Sequence, residues 1–329
     1  MMKSVILKPL INRVLTSLLV LFLLVTFVFV LIRLAPGDPS QKFLSPKLSP
    51  ELSAQVQKSF GLDKPIYIQY FAFVSKILTG DFGVSYNYRQ PVLKVVKDYF
   101  LFTLIFASIS LAIQLFIALL LAKASFKNQG KVIDKFLSGL SVIIYSIPSF
   151  VVALVLIYIF AVKLNLLPTS GIGTIYSDEN NFFENVKDRI THLLLPLITL
   201  SIAGVVVFYK YLRDNLMSTS NQTFITNLRA SGYSEKIIYS KHLLPNAIQP
   251  LISIVGIEFG LLLGGALITE VIFALPGMGR LTLQAILNRD FPLVIGCTLI
   301  AGIMIIVTNL VADLIKIKTD KRLVKELIK

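Results

Sequence analysis

The run QTFITNLRASGYSEKIIYSKHLLPNAIQ, Gln222 to Gln249, is a polar and basic interruption between two apolar runs, each of membrane-spanning length. It reads as a helix, a break, a second helix and a stop. Ile225 and Leu228 are three residues apart and share one face of the first helix. Gly232 supplies a position where a left-handed or tightly turned backbone costs little. Ser234 can cap the second helix, with Glu235 in its first turn, where a negative charge suits the helix dipole. Pro245 then marks the start of the next span. From periodicity alone two readings stand side by side. One is an elbow gripped by a soluble partner; the other is an amphipathic loop on the lipid headgroups, with Arg229, Lys236 and Lys241 near anionic lipid.

On either side of this run the chain is oily. Of its 329 residues 55% are hydrophobic and 15% charged, and the mean hydropathy is +0.77, the balance of an integral membrane protein. A net charge of +14 without a long basic block places lysines and arginines at span ends, so no nucleic-acid partner is expected. A single cysteine, Cys297, excludes an intrachain disulfide, and with only His192 and His242 besides it a His/Cys metal cluster has too few ligands.

Six apolar segments are expected to span the membrane: 12–32, 100–122, 136–162, 192–212, 247–272 and 293–315. The third contains Pro148, which should kink it and free a carbonyl. Lys123, Lys127, Lys131 and Lys135 crowd the loop after the second span, Lys210 and Arg213 end the fourth, and six basic residues follow the sixth. The positive-inside rule therefore places these loops, the 222–249 run and both termini in the cytoplasm. The proline-bearing stretch 33–99 is too long for an ordinary connection and should fold into a small extracytoplasmic element. The expected organisation is 1–32 (amino end and first span), 33–99, a five-helix core at 100–315 carrying the cytoplasmic segment 222–246, and a basic tail at 316–329.

Inside the fifth span Gly256, Gly260 and Gly264 recur every four residues and form a smooth strip for close helix packing. Glu258 is expected to lie close to that strip and Glu270 near the outer end. An ionisable group in a span costs roughly a few kcal/mol unless it faces protein or water, so both should point inward. Pro276, Gly277 and Gly279 break the helix beyond. Their Gly-x-Gly is no nucleotide site, because no strand precedes it and no Lys-Ser or Lys-Thr follows. Asp313 is expected to pair with a nearby lysine. The chain has no Gly-x-x-x-x-Gly-Lys-Ser/Thr phosphate cradle, so any ATP energy must come from another polypeptide.

Arg229-Ala230-Ser231-Gly232, an apolar and basic stretch, and then His242-Leu243-Leu244-Pro245-Asn246-Ala247 together resemble the EAA signature of permease subunits of ATP-binding-cassette importers, in the peptide and nickel branch. Thr226, Asn227 and Leu228 stand where the name-giving Glu-Ala-Ala would be. Further phrases resemble that branch in the same order: 33–39, 61–65 with Gln69-Tyr70, 80–83 with Ser85, 147–150, 270–281 and 287–290.

The resemblance implies an all-α polytopic chain of six transmembrane helices with the type I importer permease (MetI-like) fold, in the bacterial inner membrane. It implies ATPase coupling through Arg229, Ala230, Gly232, Ser234, Lys241, His242 and Pro245. It also implies a translocation pathway or gate among Pro148, Ser149, Glu258, Glu270, Pro276, Gly277 and Gly279. The implied activity is uptake of peptides or a related small solute by alternating access, in a subunit that is not itself an enzyme and holds no cofactor. ATP and magnesium would bind two ATPase subunits; a second, related permease (a heterodimer), an extracytoplasmic binding protein and membrane lipid complete the partners. The competing reading is an ion-gradient-driven secondary transporter or channel using Glu258 or Glu270. An intramembrane hydrolase ranks lower, since neither histidine lies deep in a span and no Gly-x-Ser-x-Gly elbow is present.

Overall fold

Without water to bond, a membrane-embedded backbone must satisfy its own polar groups, and apolar runs of this length do so as helices. A computed structural model of the protein describes residues 2–34, 64–173 and 182–319. Within them the regular structure is helical, apart from one isolated bridge between Val84 and Pro91. In chain order the helices are α1 (Met2–Leu34), α2 (Ile66–Leu78), α3 (Val92–Lys127), α4 (Val132–Ser146), α5 (149–163), α6 (Phe182–Ser220), α7 (Thr223–Ala230), α8 (235–263), α9 (Leu267–Ile272), α10 (Met278–Leu287) and α11 (Phe291–Thr319). Most of the expected phrases at 33–39 and 61–65, much of the 33–99 element and most of the basic tail fall outside the described residues.

Five helical stretches are long and apolar enough to cross a membrane: Ile11–Leu31 within α1, all of α3 and α6, Glu235–Ile272, and α11. The sixth expected span, 136–162, is not one kinked helix. It is a pair, α4 and α5, bent by 97°. A residue before proline is pushed out of the helical region, and Ile147 is extended (φ −87°, ψ 123°) while Pro148 becomes the cap of α5. The pair makes a sixth span only if both arms are taken together.

The stop expected at Pro245 is likewise absent. α8 runs through it by widening to a π-helix over Ile238–Leu243 before resuming as α-helix over Leu244–Leu263. Proline lacks an N–H and its ring clashes with the carbonyl four residues back; a wider turn just ahead of it accommodates both.

α3 lies along α6, and α8 along α11. The glycine strip explains the second pairing. A Cβ at Gly256 would stand 2.5 Å from the Ala312 Cβ, one at Gly260 2.5 Å from the Thr308 Oγ1, and one at Gly264 3.4 Å from the Ala301 Cβ. The strip thus faces α11 of the same chain. In the first pairing, Gly204 on α6 leaves room for the buried Gln114 side chain of α3, and the Ser110 and Ser201 hydroxyls meet at 2.9 Å. α1 packs on α11, where Leu24 fills the space over Gly302 and Arg13 pairs with Asp313. The expected lysine partner of Asp313 is therefore an arginine from the far end of the sequence. The Thr26 hydroxyl meets the Tyr70 phenol at 2.7 Å and holds α2 against α1.

Candidate functional site

At one end of the bundle α7 and the start of α8 form an elbow on an apolar footing. Ile225, Ile238 and Leu243 are buried with Ala118 and Ala122 of α3 and Phe208, Leu212 and Leu216 of α6, while Leu228 packs on the same cluster. Ile225 and Leu228 share the face expected of them. The turn between the helices passes through Gly232 at φ +82°, the left-handed region, with nothing within 4 Å of a would-be Cβ. Ser234 takes the N-cap position but makes no side-chain cap bond. Across the turn, the Arg229 guanidinium donates to Glu235 at 2.8 Å. Every residue from Arg229 to Ile237 is exposed, as are Lys241 and Pro245. His242 is half-buried, its ring 6.4 Å from that of Tyr233. The structure therefore gathers Arg229, Ala230, Gly232 and Ser234 at the tip, with Lys241, His242 and Pro245 along the helix leading away.

Beneath the elbow lies an ionic network the sequence reading missed. Asp134, in the first turn of α4 and 3% exposed, accepts from Arg213 Nε at 2.7 Å and Nη2 at 2.9 Å, from the Gly130 N–H at 3.1 Å and from the Ser125 hydroxyl. Tyr209 extends it, with its phenol 3.1 Å from Ser125. Two N–H groups of one guanidinium on one carboxylate fix direction as well as distance, so α3, α4 and α6 are held rigidly where they meet the elbow. The only signal in sequence was a single acidic residue inside a lysine-rich connection.

Between α4, α6 and α8 runs an open groove of about 610 Å³, lined by Ser141, Tyr145, Ser146, Lys210, Tyr211 and Asp214 among others, with Ile254 from α8. Pro148 is exposed and Ser149 half-buried at the α4–α5 break, just beyond Ser146.

The opposite end is organised around buried carboxylates. The helical stretch 235–272 is interrupted after Leu263, where Gly265 (φ +115°) turns the chain into α9. Glu270, fully buried on α9, accepts from the N–H groups of Ala266 (3.3 Å), Gly279 and Arg280 (3.0 Å) and from the Thr103 hydroxyl (3.3 Å). Thr103 in turn accepts the Met278 N–H at 2.8 Å. The carboxylate thus caps the start of α10 from a neighbouring element, where unpaired N–H groups and the helix dipole favour a negative charge. A Cβ at Gly277 would lie 2.2 Å from the Glu270 carboxyl carbon, and one at Gly279 2.6 Å from the Leu267 Cα, which is why both are glycine.

Asp290 repeats the device between the Ser85–Asn87 turn and α11. It accepts from the Ser85 hydroxyl (2.6 Å), the Asn87 N–H (3.0 Å) and the Leu293 N–H (3.3 Å). Close by, burial and the Tyr99 hydroxyl push the Tyr88 phenol above its ordinary pKa.

The two glutamates expected to point inward differ. Glu270 is buried and fully bonded; Glu258 is half-buried and, contrary to the expectation that it lies close to the glycine strip, sits across α8 from it, since two residues turn a helix by about 200°.

A bundle of membrane-length helices carrying a footed, exposed elbow at one end has the form of a membrane protein that presents a surface to a partner. The chain belongs to the family of binding-protein-dependent transport system inner membrane components, whose model matches residues 114–325; the model of the N-terminal part of such components matches residues 6–107. It is 33% identical to the oligopeptide transport system permease protein AppB of Bacillus subtilis over 95% of this chain and 98% of that one. It is 31% identical to the dipeptide transport system permease protein DppB of Lactococcus lactis over 96% and 98%, and 32% identical to the glutathione transport system permease protein GsiC of Salmonella typhimurium over 95% and 96%. Among solved structures it resembles an inward-facing MetNI methionine ABC transporter, with a TM-score of 0.50 and 15% identity over 71% of this chain and 97% of that one. The all-α, MetI-like permease fold expected from the sequence is therefore the fold observed. The protein is a multi-pass inner-membrane permease subunit of an ATP-binding-cassette importer, and the matches favour this reading over the ion-driven alternative.

Proposed function

We propose that the chain forms one half of the pathway of an importer that takes up short peptides delivered by an extracytoplasmic binding protein, with a second, related permease as the other half. The elbow carries this reading: a tip exposed over nine consecutive residues stands on a footing that is almost wholly buried. A surface loop seeking lipid would present its apolar face outward, whereas here Ile225, Ile238 and Leu243 are turned into the protein. The elbow end is then cytoplasmic, with both termini, and its tip seats in one of two ATPase subunits, which bind ATP and magnesium; this chain needs no cofactor of its own. The names of the relatives support peptides as cargo.

Closure of the ATPases displaces the tip. The buried footing and the Asp134–Arg213 network pass that displacement to α3, α4 and α6 as one body. The α4–α5 break at Pro148 and Ser149 and the hairpin of Glu270, Pro276, Gly277 and Gly279 rearrange at the pathway's outer side, with the hairpin moving as a unit because one carboxylate holds it together.

The test is uptake by the complete transporter in proteoliposomes. Peptide accumulation should require ATP and loaded binding protein and should persist when ionophores collapse every ion gradient. Uptake that follows an imposed proton or sodium gradient without ATP would overturn the proposal.

A further inference from the structure

Glu258 is a carboxylate within the membrane-spanning bundle that the described residues leave unpaired. Asp134, Glu270, Asp290 and Asp313 each have named partners, but among the described residues no hydrogen bond or ion pair reaches the Glu258 carboxylate. Its neighbours on α8 explain its position. Gly256 and Gly260 press on α11, whereas Ile257 and Leu261 are exposed, at 49% and 55%, on a face that none of the described elements covers. Glu258 stands at the margin of that uncovered face.

Glu258 does not line the groove between α4, α6 and α8, but helix geometry places it just beyond that groove's end. Along α6 the groove runs from Asp214 to Val206, about 12 Å at 1.5 Å per residue. Its α8 residue, Ile254, is one turn before Glu258, so the two side chains share a face and the carboxylate lies about 6 Å farther from the elbow. On α6 the same stripe continues from Val207 to Ala203, which is exposed and has only a methyl group to occupy the space. The groove is lined below by the Tyr145 and Tyr211 rings, 67% and 50% exposed, whose faces attract cations. Lys210 and Asp214 lie toward its elbow end. An unpaired carboxylate in a membrane interior is costly unless a cation or water meets it.

We propose that Glu258 is a cargo-binding residue, whose carboxylate takes the free ammonium terminus of a peptide passing along this groove. The assignment rests on the importer reading above and adds to it a group that discriminates cargo. A second permease supplying an arginine or lysine at the same place is the rival occupant, and a proton is the third.

The test uses the complete transporter in proteoliposomes, driven by ATP, with binding protein saturated in turn with trialanine and N-acetyl-trialanine. The wild type should move trialanine about tenfold faster, the size of one ion pair in a partly desolvated site. Glu258→Gln should lower trialanine uptake by about tenfold and narrow the difference between the peptides to less than twofold; Glu258→Asp should restore most of it. Equal slowing of both peptides, trialanine uptake at the wild-type rate, loss of the second permease on copurification, or a new dependence on the pH gradient would each overturn the assignment while leaving the importer reading intact. A wild-type complex that hydrolyses ATP and moves neither peptide would overturn the peptide reading itself, and this assignment with it.

Discussion

At the elbow end, Ile225, Ile238 and Leu243 are buried beneath a tip exposed from Arg229 to Ile237; at the far end, the carboxylates of Glu270 and Asp290 are buried and tie their turns inward. Apolar burial is non-directional and leaves the tip's polar groups free for another surface. Hydrogen bonds to a buried carboxylate are directional, and they consume the polar groups that make them. One end is therefore built to present a shape, and the other to keep one. The carboxylate-centred end should fail through stability, and the elbow through coupling.

The largest effect is expected at Gly277. Its Cβ would overlap the Glu270 carboxyl group, so Gly277→Val should lower stability by about 3 kcal/mol and abolish uptake, read as a fall in the unfolding midpoint in detergent together with loss of transport. Next comes Asp134→Ala, which strands a partly buried guanidinium and should cost about 2–3 kcal/mol. A double-mutant cycle with Arg213→Ala should return a coupling near that value; additive effects would show that the network is not a unit. Gly232→Val meets no neighbour, so its cost comes only from the left-handed backbone, about 1–2 kcal/mol, yet it should uncouple ATP hydrolysis from uptake. Smallest is Arg229→Gln. Its pair with Glu235 is exposed, so stability should move by less than about 1 kcal/mol in the same unfolding assay, while any loss of transport would report on the partner surface.

The membrane-length helices, the buried face of Ile225 and Leu228 and the left-handed Gly232 could be read from the sequence, because each depends on local periodicity or on one residue's backbone freedom. What could not be read depends on distant partners. Nothing near Glu270 announces Thr103, and nothing near Asp134 announces Arg213; each pair is made by packing that hydropathy does not see. The two prolines depart from the sequence expectation in opposite directions. Pro148 breaks its segment outright, because its predecessor turns extended, whereas Pro245 is absorbed by a π-helical turn. A proline's effect depends on whether the preceding turn can widen, which composition does not specify. The placement of Glu258 opposite the glycine strip follows from 100° per residue, whereas its turning away from α11 depends on packing that only the structure shows.

The most direct test of the difference between the two ends is copurification of an ATPase subunit with the detergent-solubilised protein. The wild type is compared with a tip variant carrying replacements of Arg229, Gly232 and His242, and with a far-end variant carrying replacements of the exposed Asn288 and Arg289. The expected result is ATPase recovered with the wild type and the far-end variant and lost with the tip variant, with the tip variant unfolding only a few degrees below the wild type, as the left-handed Gly232 requires. Equal recovery with the tip variant would contradict the assignment of the elbow as the coupling surface.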